Sequence, residues 1–330
     1  MTPEKKAEAE AAYQEALRRI REAEKTGAVE LDLSGWKEGE TGVLFYTKLE
    51  TLTRLPPELE RLTWLRDLDL FGCAQLSGNL SPLATLTSLQ SLNLSWCIRL
   101  SGDMTPLASL TSLQSLALEG CKQLSDLSPL ASLTSLQSLN LKGCCQLSGD
   151  LSPLATLTSL QSLNLKGCEK LTGDLSALAG LTSLQSLNLK GCEKLTGDLS
   201  PLTGLASLQS LELSDCSQLI GDLSPLASLT SLQRLYLDSC ARIRFAPLES
   251  LLPTLEHLSL FGCKLNDLPS EVCGERVYEN VPTTVSGGPT RPQKPLLPNR
   301  SAHRPRFSFL TPGEISHPMP LKKTANVRKS

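Results

Sequence analysis

Cysteine is the residue type in this sequence that offers the most chemistry, and it occurs eleven times in 330 residues. Thiols bind metal ions, form disulfides or act as nucleophiles, depending on their spacing. Nine of them recur at intervals of 23 or 24 residues: Cys73, Cys97, Cys121, Cys144, Cys168, Cys192, Cys216, Cys240 and Cys263. Evenly stacked side chains do not form the tetrahedron that zinc prefers, and their parallel directions do not favour the disulfide dihedral angle. We therefore expect a structural ladder of buried, free thiols and no metal site.

Histidines and carboxylates give no catalytic arrangement in the sequence. The three histidines are His257, His303 and His317, and only His257 lies in the repeated part of the chain. Glu119 and Glu212 fall four repeats apart, roughly 19 Å at the spacing of neighbouring strands, which is too far for joint acid and base catalysis. No GxxxxGK[ST] motif is present to hold a nucleotide phosphate. The sequence therefore predicts a protein that is not an enzyme and needs no cofactor.

The cysteines are positioned by a repeated pattern, LxxLxLxxC. It begins at Leu65, Leu89, Leu113, Leu136, Leu160, Leu184, Leu208, Leu232 and Leu255. The alternation in Leu139-Asn140-Leu141 has the period of two that is typical of a half-buried strand. Strands that recur in one direction with a crossover between them are parallel. In the crossover we expect a glycine turn and a short helix, with Ser81 as its cap and Pro82 at its first position.

A period of roughly 20–29 residues with this pattern resembles that of leucine-rich repeat proteins. The resemblance covers residues 29–273, about three quarters of the chain. It implies an α/β solenoid over residues 28–273, a curved horseshoe with a parallel β-ribbon on its concave side, and a role in binding. One repeat buries too little apolar surface to fold alone, so stacking has to stabilise the repeats together.

The two ends of the chain differ from the repeats. Residues 1–27 have helical composition, with an apolar stripe formed by Ala9, Ala12, Tyr13, Ala16, Leu17, Ile20 and Ala23. We expect an amphipathic helix from Thr2 to Gly27 that caps the first core face; the alternative is a partner-binding coiled coil. A degenerate strand over 28–33 and a loop over 35–42 should follow. Residues 274–330 are basic and rich in proline, which predicts a disordered tail.

Charge separates the solenoid from the tail. The net charge is −2, and residues 276–330 hold ten Lys or Arg against two Glu, so residues 1–275 carry −10. Nucleic acid is an unfavourable partner for an acidic solenoid, because phosphates attract clustered Lys and Arg. Two interpretations of the tail stay open. It binds an acidic partner or a membrane surface, or it has left the ancestral reading frame, as the abrupt change in composition suggests.

The segment Leu268–Asn280 resembles the junction at which bacterial leucine-rich repeats run into a Roc-COR GTPase module. The resemblance implies a P-loop farther along, which this chain lacks. An alternative function is therefore that of a sensor fragment of a Roc-COR-type GTPase signalling protein without its catalytic module. A third interpretation is a duplicated and truncated copy that has no selected partner.

The residues expected to contact a partner point outward from the strands on the concave side. They are Trp96, Glu119, Asn140, Lys142, Asn164, Lys166, Asn188, Lys190, Arg234, Tyr236 and Asp238. Arg, Tyr and Trp are enriched at interface hot spots. The alternative is that the three lysines only keep a duplicated face soluble. The sequence favours a non-catalytic module that binds a protein partner of unknown identity.

The same features suggest a location. Many unpaired thiols favour a reducing compartment. The first residues, MTPEKKAE, lack the apolar core of a signal peptide, and no stretch approaches 18 apolar residues. We expect a cytoplasmic protein without a membrane span.

Overall fold

The computed structural model describes residues 2–38, 44–78, 80–101, 104–244, 251 and 254–263. Cys273, His303, His317, the segment Leu268–Asn280 and the predicted tail over 274–330 lie outside this part. The expectations attached to them, including disorder of the tail, stay predictions. The same holds for the last residues of the predicted solenoid.

Helix α1 (Pro3–Thr26) closes the N-terminal end of the core. The hydroxyl of Thr2 accepts a hydrogen bond from the Lys5 amide, and Gly27 ends the helix with a left-handed φ of 65°. Ala12, Ala16 and Ile20 are fully buried, so the apolar stripe faces the first rung. The helix predicted over this segment is confirmed.

Ten short strands form one parallel sheet in chain order. They are β1 (Glu30–Asp32), β4 (Asp67–Asp69), β5 (Ser91–Asn93), β6 (Ser115–Ala117), β7 (Ser138–Asn140), β8 (Ser162–Asn164), β9 (Ser186–Asn188), β10 (Ser210–Glu212), β12 (Arg234–Tyr236) and β14 (His257–Ser259). The central leucine of each strand lies directly beside that of the next, as Leu139 does beside Leu163. From β4 to β12 this leucine is buried between two half-buried neighbours. The parallel ribbon and the period-two alternation are confirmed.

Two small sheets flank the ribbon. In one, β2 (Trp36–Glu38) pairs antiparallel with β3 (Leu44–Tyr46). In the other, β11 (Gly221–Asp222) pairs in parallel with β13 (Ile243–Arg244). The predicted loop over 35–42 therefore begins as the first strand of a hairpin.

The crossovers contain short 3-10 helices rather than α-helices. They are Lys48–Thr51, Pro57–Arg61, Ser81–Leu83, Thr105–Ser109, Ser128–Ser132, Ser152–Leu154, Leu175–Leu178, Ser200–Gly204 and Ser224–Ser228. The expectation that Ser81 caps its helix is wrong, because Ser81 is the first helical residue and Pro82 the second. In later rungs an aspartate two residues before the serine accepts a hydrogen bond from the serine amide, and in one rung this aspartate, Asp174, is the N-cap itself. The Asp150 carboxylate, for example, accepts hydrogen bonds from both the amide and the hydroxyl of Ser152.

The core is continuous from α1 to the last described rung. Leucines at the ends of the strands and in the crossovers are almost all fully buried, and they form one cluster from Ala12 to Leu255. Among the described residues, no helix has the length and apolar character of a membrane span.

The cysteine ladder runs through this core. Each thiol donates a hydrogen bond of 2.9–3.3 Å to a leucine carbonyl of the preceding rung, as Cys168 does to Leu141. Eight of the nine ladder cysteines are buried, whereas Cys263 is half-buried. Burial raises the pKa of Cys121 and Cys192 to about 12, which keeps these thiols protonated at neutral pH. The ladder cysteines thus link neighbouring rungs as neutral donors.

Replacing Cys168 with alanine should lower the free energy of unfolding by about 1–2 kcal/mol, because the Leu141 carbonyl loses one of its two hydrogen bonds, keeping that from the Cys144 amide, and the core loses a buried thiol. Cys145, which is adjacent to the ladder and half-buried, provides the control. Cys145→Ala should change stability by less than about 0.5 kcal/mol. Urea unfolding followed by circular dichroism measures both. Equal stability of the two variants would contradict a structural role for the ladder.

Candidate functional site: the strand face

Three columns of residues alternate with the buried leucines of the ten-stranded sheet, and we call them the strand face. The first column is Glu30, Asp67, Ser91, Ser115, Ser138, Ser162, Ser186, Ser210, Arg234 and His257. The second is Asp32, Asp69, Asn93, Ala117, Asn140, Asn164, Asn188, Glu212, Tyr236 and Ser259. The third, two residues further on, is Ser34, Phe71, Ser95, Glu119, Lys142, Lys166, Lys190, Ser214, Asp238 and Phe261. Ser34, Ser95 and Ser214 of the third column are themselves buried. All predicted contact residues except Trp96 lie in these columns.

Side chains of the second column hold the third column in place. The side-chain oxygen of Asn140 accepts a hydrogen bond of 3.1 Å from the Lys142 amide, two residues on. Equivalent bonds join Asn93 to Ser95, Asn164 to Lys166, Asn188 to Lys190, Asp69 to Phe71 and Glu212 to Ser214. The side-chain oxygens of the asparagines therefore serve the fold. The amide nitrogen of Asn140 donates a hydrogen bond of 3.1 Å to the Glu119 carboxylate.

The lysine stripe is bounded by carboxylates at both ends. The Lys142 ammonium is 2.8 Å from a Glu119 oxygen, and the side chains are 40% and 18% exposed. At the other end, burial raises the pKa of Glu212, and the nearby positive charge of Lys190 partly opposes this. No described carboxylate lies within 4 Å of Lys166. Along the strand face the order of charge is thus negative at Glu119, positive at the three lysines and negative at Glu212, with Lys166 at the centre.

The last strands combine exposed groups with groups that the fold uses. Arg234 and Tyr236 are both half-buried on β12, and burial raises the pKa of Tyr236. An oxygen of Asp238 accepts hydrogen bonds from the Ser259 hydroxyl at 2.5 Å and from the Phe261 amide at 2.8 Å. Asp238 therefore fixes the final described rung and has one oxygen engaged before any partner arrives.

Four aromatic rings, Trp36, Tyr46, Phe71 and Trp96, meet at the edge of the first rungs; we call them the aromatic ledge. The ring of Trp36 is central, with centroid distances of 5.7 Å to Tyr46, 5.9 Å to Phe71 and 6.0 Å to Trp96. Tyr46 is 69% exposed. The indole nitrogen of Trp36 is buried and meets no acceptor among the described residues. Sequence analysis singled out only Trp96 from this group.

Trp96 has a backbone conformation that does not suit it. Its φ is 63°, in the left-handed region, where bulky side chains cost roughly 1–2 kcal/mol. Most other rungs have glycine at this register, namely Gly72, Gly120, Gly143, Gly167, Gly191 and Gly262, with φ between 70° and 75°. The next rung leaves room for the indole, because a Cβ on Gly120 would lie 3.2 Å from it. A tryptophan in a glycine register is the signal by which the sequence marks the ledge.

Two pairs of carboxylates lie beside the ledge. Glu30 is directly opposite Asp67, and Asp32 is directly opposite Asp69. Like charges directly opposite each other on neighbouring strands are unfavourable. Lys37 compensates Asp32 at 2.6 Å, but no described Lys or Arg lies within 4 Å of the other three carboxylates. Burial, followed by the charge of Asp32, raises the pKa of Asp69, although the Phe71 amide bond opposes this.

The described ranges contain no candidate metal site. No group of three or more His, Cys, Asp or Glu side chains there is arranged to hold a metal ion. The strand face instead presents charged groups, amide groups and aromatic rings in columns, and groups of these kinds are suited to contacts with another molecule.

Comparison with solved structures assigns the fold. The leucine-rich repeat domain of the type III effector XopL has a TM-score of 0.56 and 24% identity, over 76% of this chain and 82% of that one. The Arabidopsis receptor kinase HAESA, in complex with the peptide hormone IDA and the co-receptor SERK1, has a TM-score of 0.50 and 26% identity, over 72% of this chain and 43% of that one. The chain has the leucine-rich repeat fold. The internalin InlF of Listeria monocytogenes also resembles this repeat solenoid, with a TM-score of 0.44 and 26% identity over 75% of this chain and 82% of that one. No model of a protein family matches the sequence, and no curated protein matches it.

Replacing Asp69 with asparagine, the residue of the later rungs, should raise the free energy of unfolding at neutral pH by about 0.2–1 kcal/mol, because a repelled charge is removed. The folded-state pKa of Asp69 is raised, so folding favours its protonated form. The advantage of Asp69→Asn should therefore disappear as the pH falls through that pKa. Urea unfolding at a series of pH values measures it.

Asp32→Asn is the control of opposite sign. Burial raises the pKa of Asp32, but Lys37 and Ser34 outweigh burial and lower it. This carboxylate therefore stabilises the fold above its unfolded-state pKa, and its loss should destabilise the protein at neutral pH. A pH-independent gain from Asp69→Asn would show that charge is not the cause.

Proposed function

We propose that this chain is a non-catalytic protein-protein interaction module that binds a partner protein on its strand face. The observation that carries the proposal is the ordering of the third column before binding. Each backbone amide of this column from Phe71 to Ser214, apart from that of Glu119, donates a hydrogen bond to the side chain two residues earlier. A surface whose backbone is already ordered loses less conformational entropy on association, which favours affinity.

The charge pattern specifies the partner's chemistry. Lys166 is the most available cation of the stripe, since Lys142 is engaged by Glu119 and Lys190 lies near Glu212. A complementary partner presents an acidic centre flanked by basic groups. The proposed contact set is the one predicted from the sequence: Trp96, Glu119, Asn140, Lys142, Asn164, Lys166, Asn188, Lys190, Arg234, Tyr236 and Asp238.

The comparison with HAESA supports a peptide or protein as the ligand class. That receptor kinase, which shares this fold, is in a complex with a peptide hormone and a co-receptor. For the present chain we place the interaction in the cytoplasm, because nine ladder cysteines in one fold suit a reducing compartment. The sensor alternative rests on Leu268–Asn280, outside the described residues, so the strand face carries the proposal.

Changing Lys142, Lys166, Lys190 and Arg234 together to serine should weaken binding of the physiological partner by about tenfold or more, because four cations leave the contact surface. Affinity purification from the source cells followed by mass spectrometry identifies the partner. Biolayer interferometry with the purified partner then gives Kd for both proteins.

A matched variant keeps the net charge equal. Lys122, Lys170, Lys194 and Arg242 are exposed in the turns behind the ladder, away from the strand face. Their replacement by serine removes the same four charges and should leave Kd within about twofold. If the two variants weaken binding equally, general electrostatic attraction rather than the strand face holds the partner.

A further inference from the structure

The aromatic ledge contains a residue whose backbone conformation destabilises the fold. Trp96 occupies a strained, left-handed position that most other rungs give to glycine. Strained residues persist where the strain serves a function. The solenoid does not need this ring for its own stacking, because rungs with glycine at this register stack in the same manner.

The ledge has the dimensions of a binding surface for an extended chain. Trp36 contacts both Tyr46 and Trp96, with centroid distances of 5.7 and 6.0 Å, so the outer two rings lie at most about 12 Å apart. In a polyproline II helix, which has three residues per turn, prolines three apart lie on one edge roughly 9 Å from each other. Surfaces lined with aromatic rings are the recurrent means of recognising such a helix.

A segment with this spacing occurs in the chain itself. Residues 291–300 read RPQKPLLPNR, with prolines at 292, 295 and 298. In the polyproline II conformation these three prolines share one edge. Arg291, Lys294 and Arg300 share a second edge, because they are also separated by multiples of three. One edge of the helix would be apolar and the next one cationic.

The surface beside the ledge complements that second edge. Asp69 is the last residue of β4, and its carboxylate accepts a hydrogen bond from the amide of Phe71 two residues on, so the carboxylate pairs are continuous with the ledge. Glu30, Asp67 and Asp69 have no described cation within 4 Å. A basic edge placed over these carboxylates would relieve their mutual repulsion, while the prolines cover the rings.

The segment is long enough to reach the ledge from its own end of the solenoid. The last strand and the first are separated by nine strand spacings, roughly 43 Å. Residues 264–290 connect Cys263 to Arg291, and 27 residues span at most about 90 Å when fully extended. Reach therefore permits docking within one molecule.

We infer that residues 291–300 dock as a polyproline II helix on the aromatic ledge of the same chain, with Arg291, Lys294 and Arg300 directed to the carboxylates of β1 and β4. The docked segment covers the N-terminal end of the strand face and so competes with ligands that bind there. This inference does not depend on the partner proposed above, since its occupant is part of the chain.

The test uses the full chain, a synthetic peptide of residues 291–300 and isothermal titration calorimetry. Replacing Pro292, Pro295 and Pro298 with alanine in the chain removes the internal competitor. This triple variant should bind the peptide. The unmodified chain should bind the peptide at least about tenfold more weakly, because its own tethered segment competes at a local concentration on the order of 1 mM. No binding to the triple variant, or equal binding to both chains, would overturn the inference.

Trp96→Gly, added to the triple variant, tests the site. Glycine is the usual residue of that register and its φ is favourable there, so the fold should be retained. Peptide binding should fall at least about tenfold, because a stacking ring is lost. Tyr46→Ala, at an exposed ring, is the second variant should Trp96→Gly fail to fold. Undiminished peptide binding to the folded variants would show that the aromatic ledge is not the docking site.

Two further controls separate this inference from the proposed function. A peptide of the same composition, with its prolines no longer three residues apart, should not bind. The triple proline variant with Lys142, Lys166, Lys190 and Arg234 also replaced by serine should bind the peptide as the triple variant itself does, since those four residues lie on later rungs. Loss of peptide binding in that variant would place the segment elsewhere on the strand face.

Discussion

The structure depends on the contact between one rung and the next. Each strand is only three residues long, and its backbone hydrogen bonds go to the neighbouring strands rather than to itself. The leucines of one rung pack on those of the next, and the Cys thiol adds a third link by donating to a leucine carbonyl of the preceding rung. Since no rung satisfies its own polar groups or covers its own leucines, stability belongs to the stack. Helix α1 exists for the same reason, because the first rung has no predecessor.

This dependence explains which features the sequence could predict. Contacts that recur every 23 or 24 residues produce a period in the sequence. The strands of the parallel sheet and the cysteine ladder can therefore be predicted from that period, and the capping helix from the spacing of its apolar residues. The hairpin of β2 and β3 has no period and was expected to be a loop. The aromatic ledge brings Trp36 to Trp96 across 60 positions, through a hairpin that occurs once. Contacts that occur once leave no repeated trace in the sequence.

The second column shows a different limit of sequence reasoning. Asn140, Asn164 and Asn188 were expected to contact a partner, and the structure gives their oxygens to the backbone two residues on. Both roles demand a short polar side chain that points outward, so residue type does not distinguish them. The structure does: the side-chain oxygens accept hydrogen bonds that order the ends of the strands, and the amide nitrogen of Asn140 donates to Glu119. Partner contact by these asparagines stays a prediction.

Identical rungs stack well, but they present little chemical variety on the surface of this solenoid. Rungs β7 to β9 have nearly the same sequence, which stacks well but presents the same serine, asparagine and lysine three times. The first and last rungs depart from that pattern, with opposed carboxylates and a tryptophan in a glycine register at one end, and Arg234 with Tyr236 at the other. The departures at the first rungs carry a cost in stability, through like-charge repulsion and an unfavourable φ. A uniform stack would be more stable, so stacking alone does not explain these residues, and they are the ones to test first for a role in recognition.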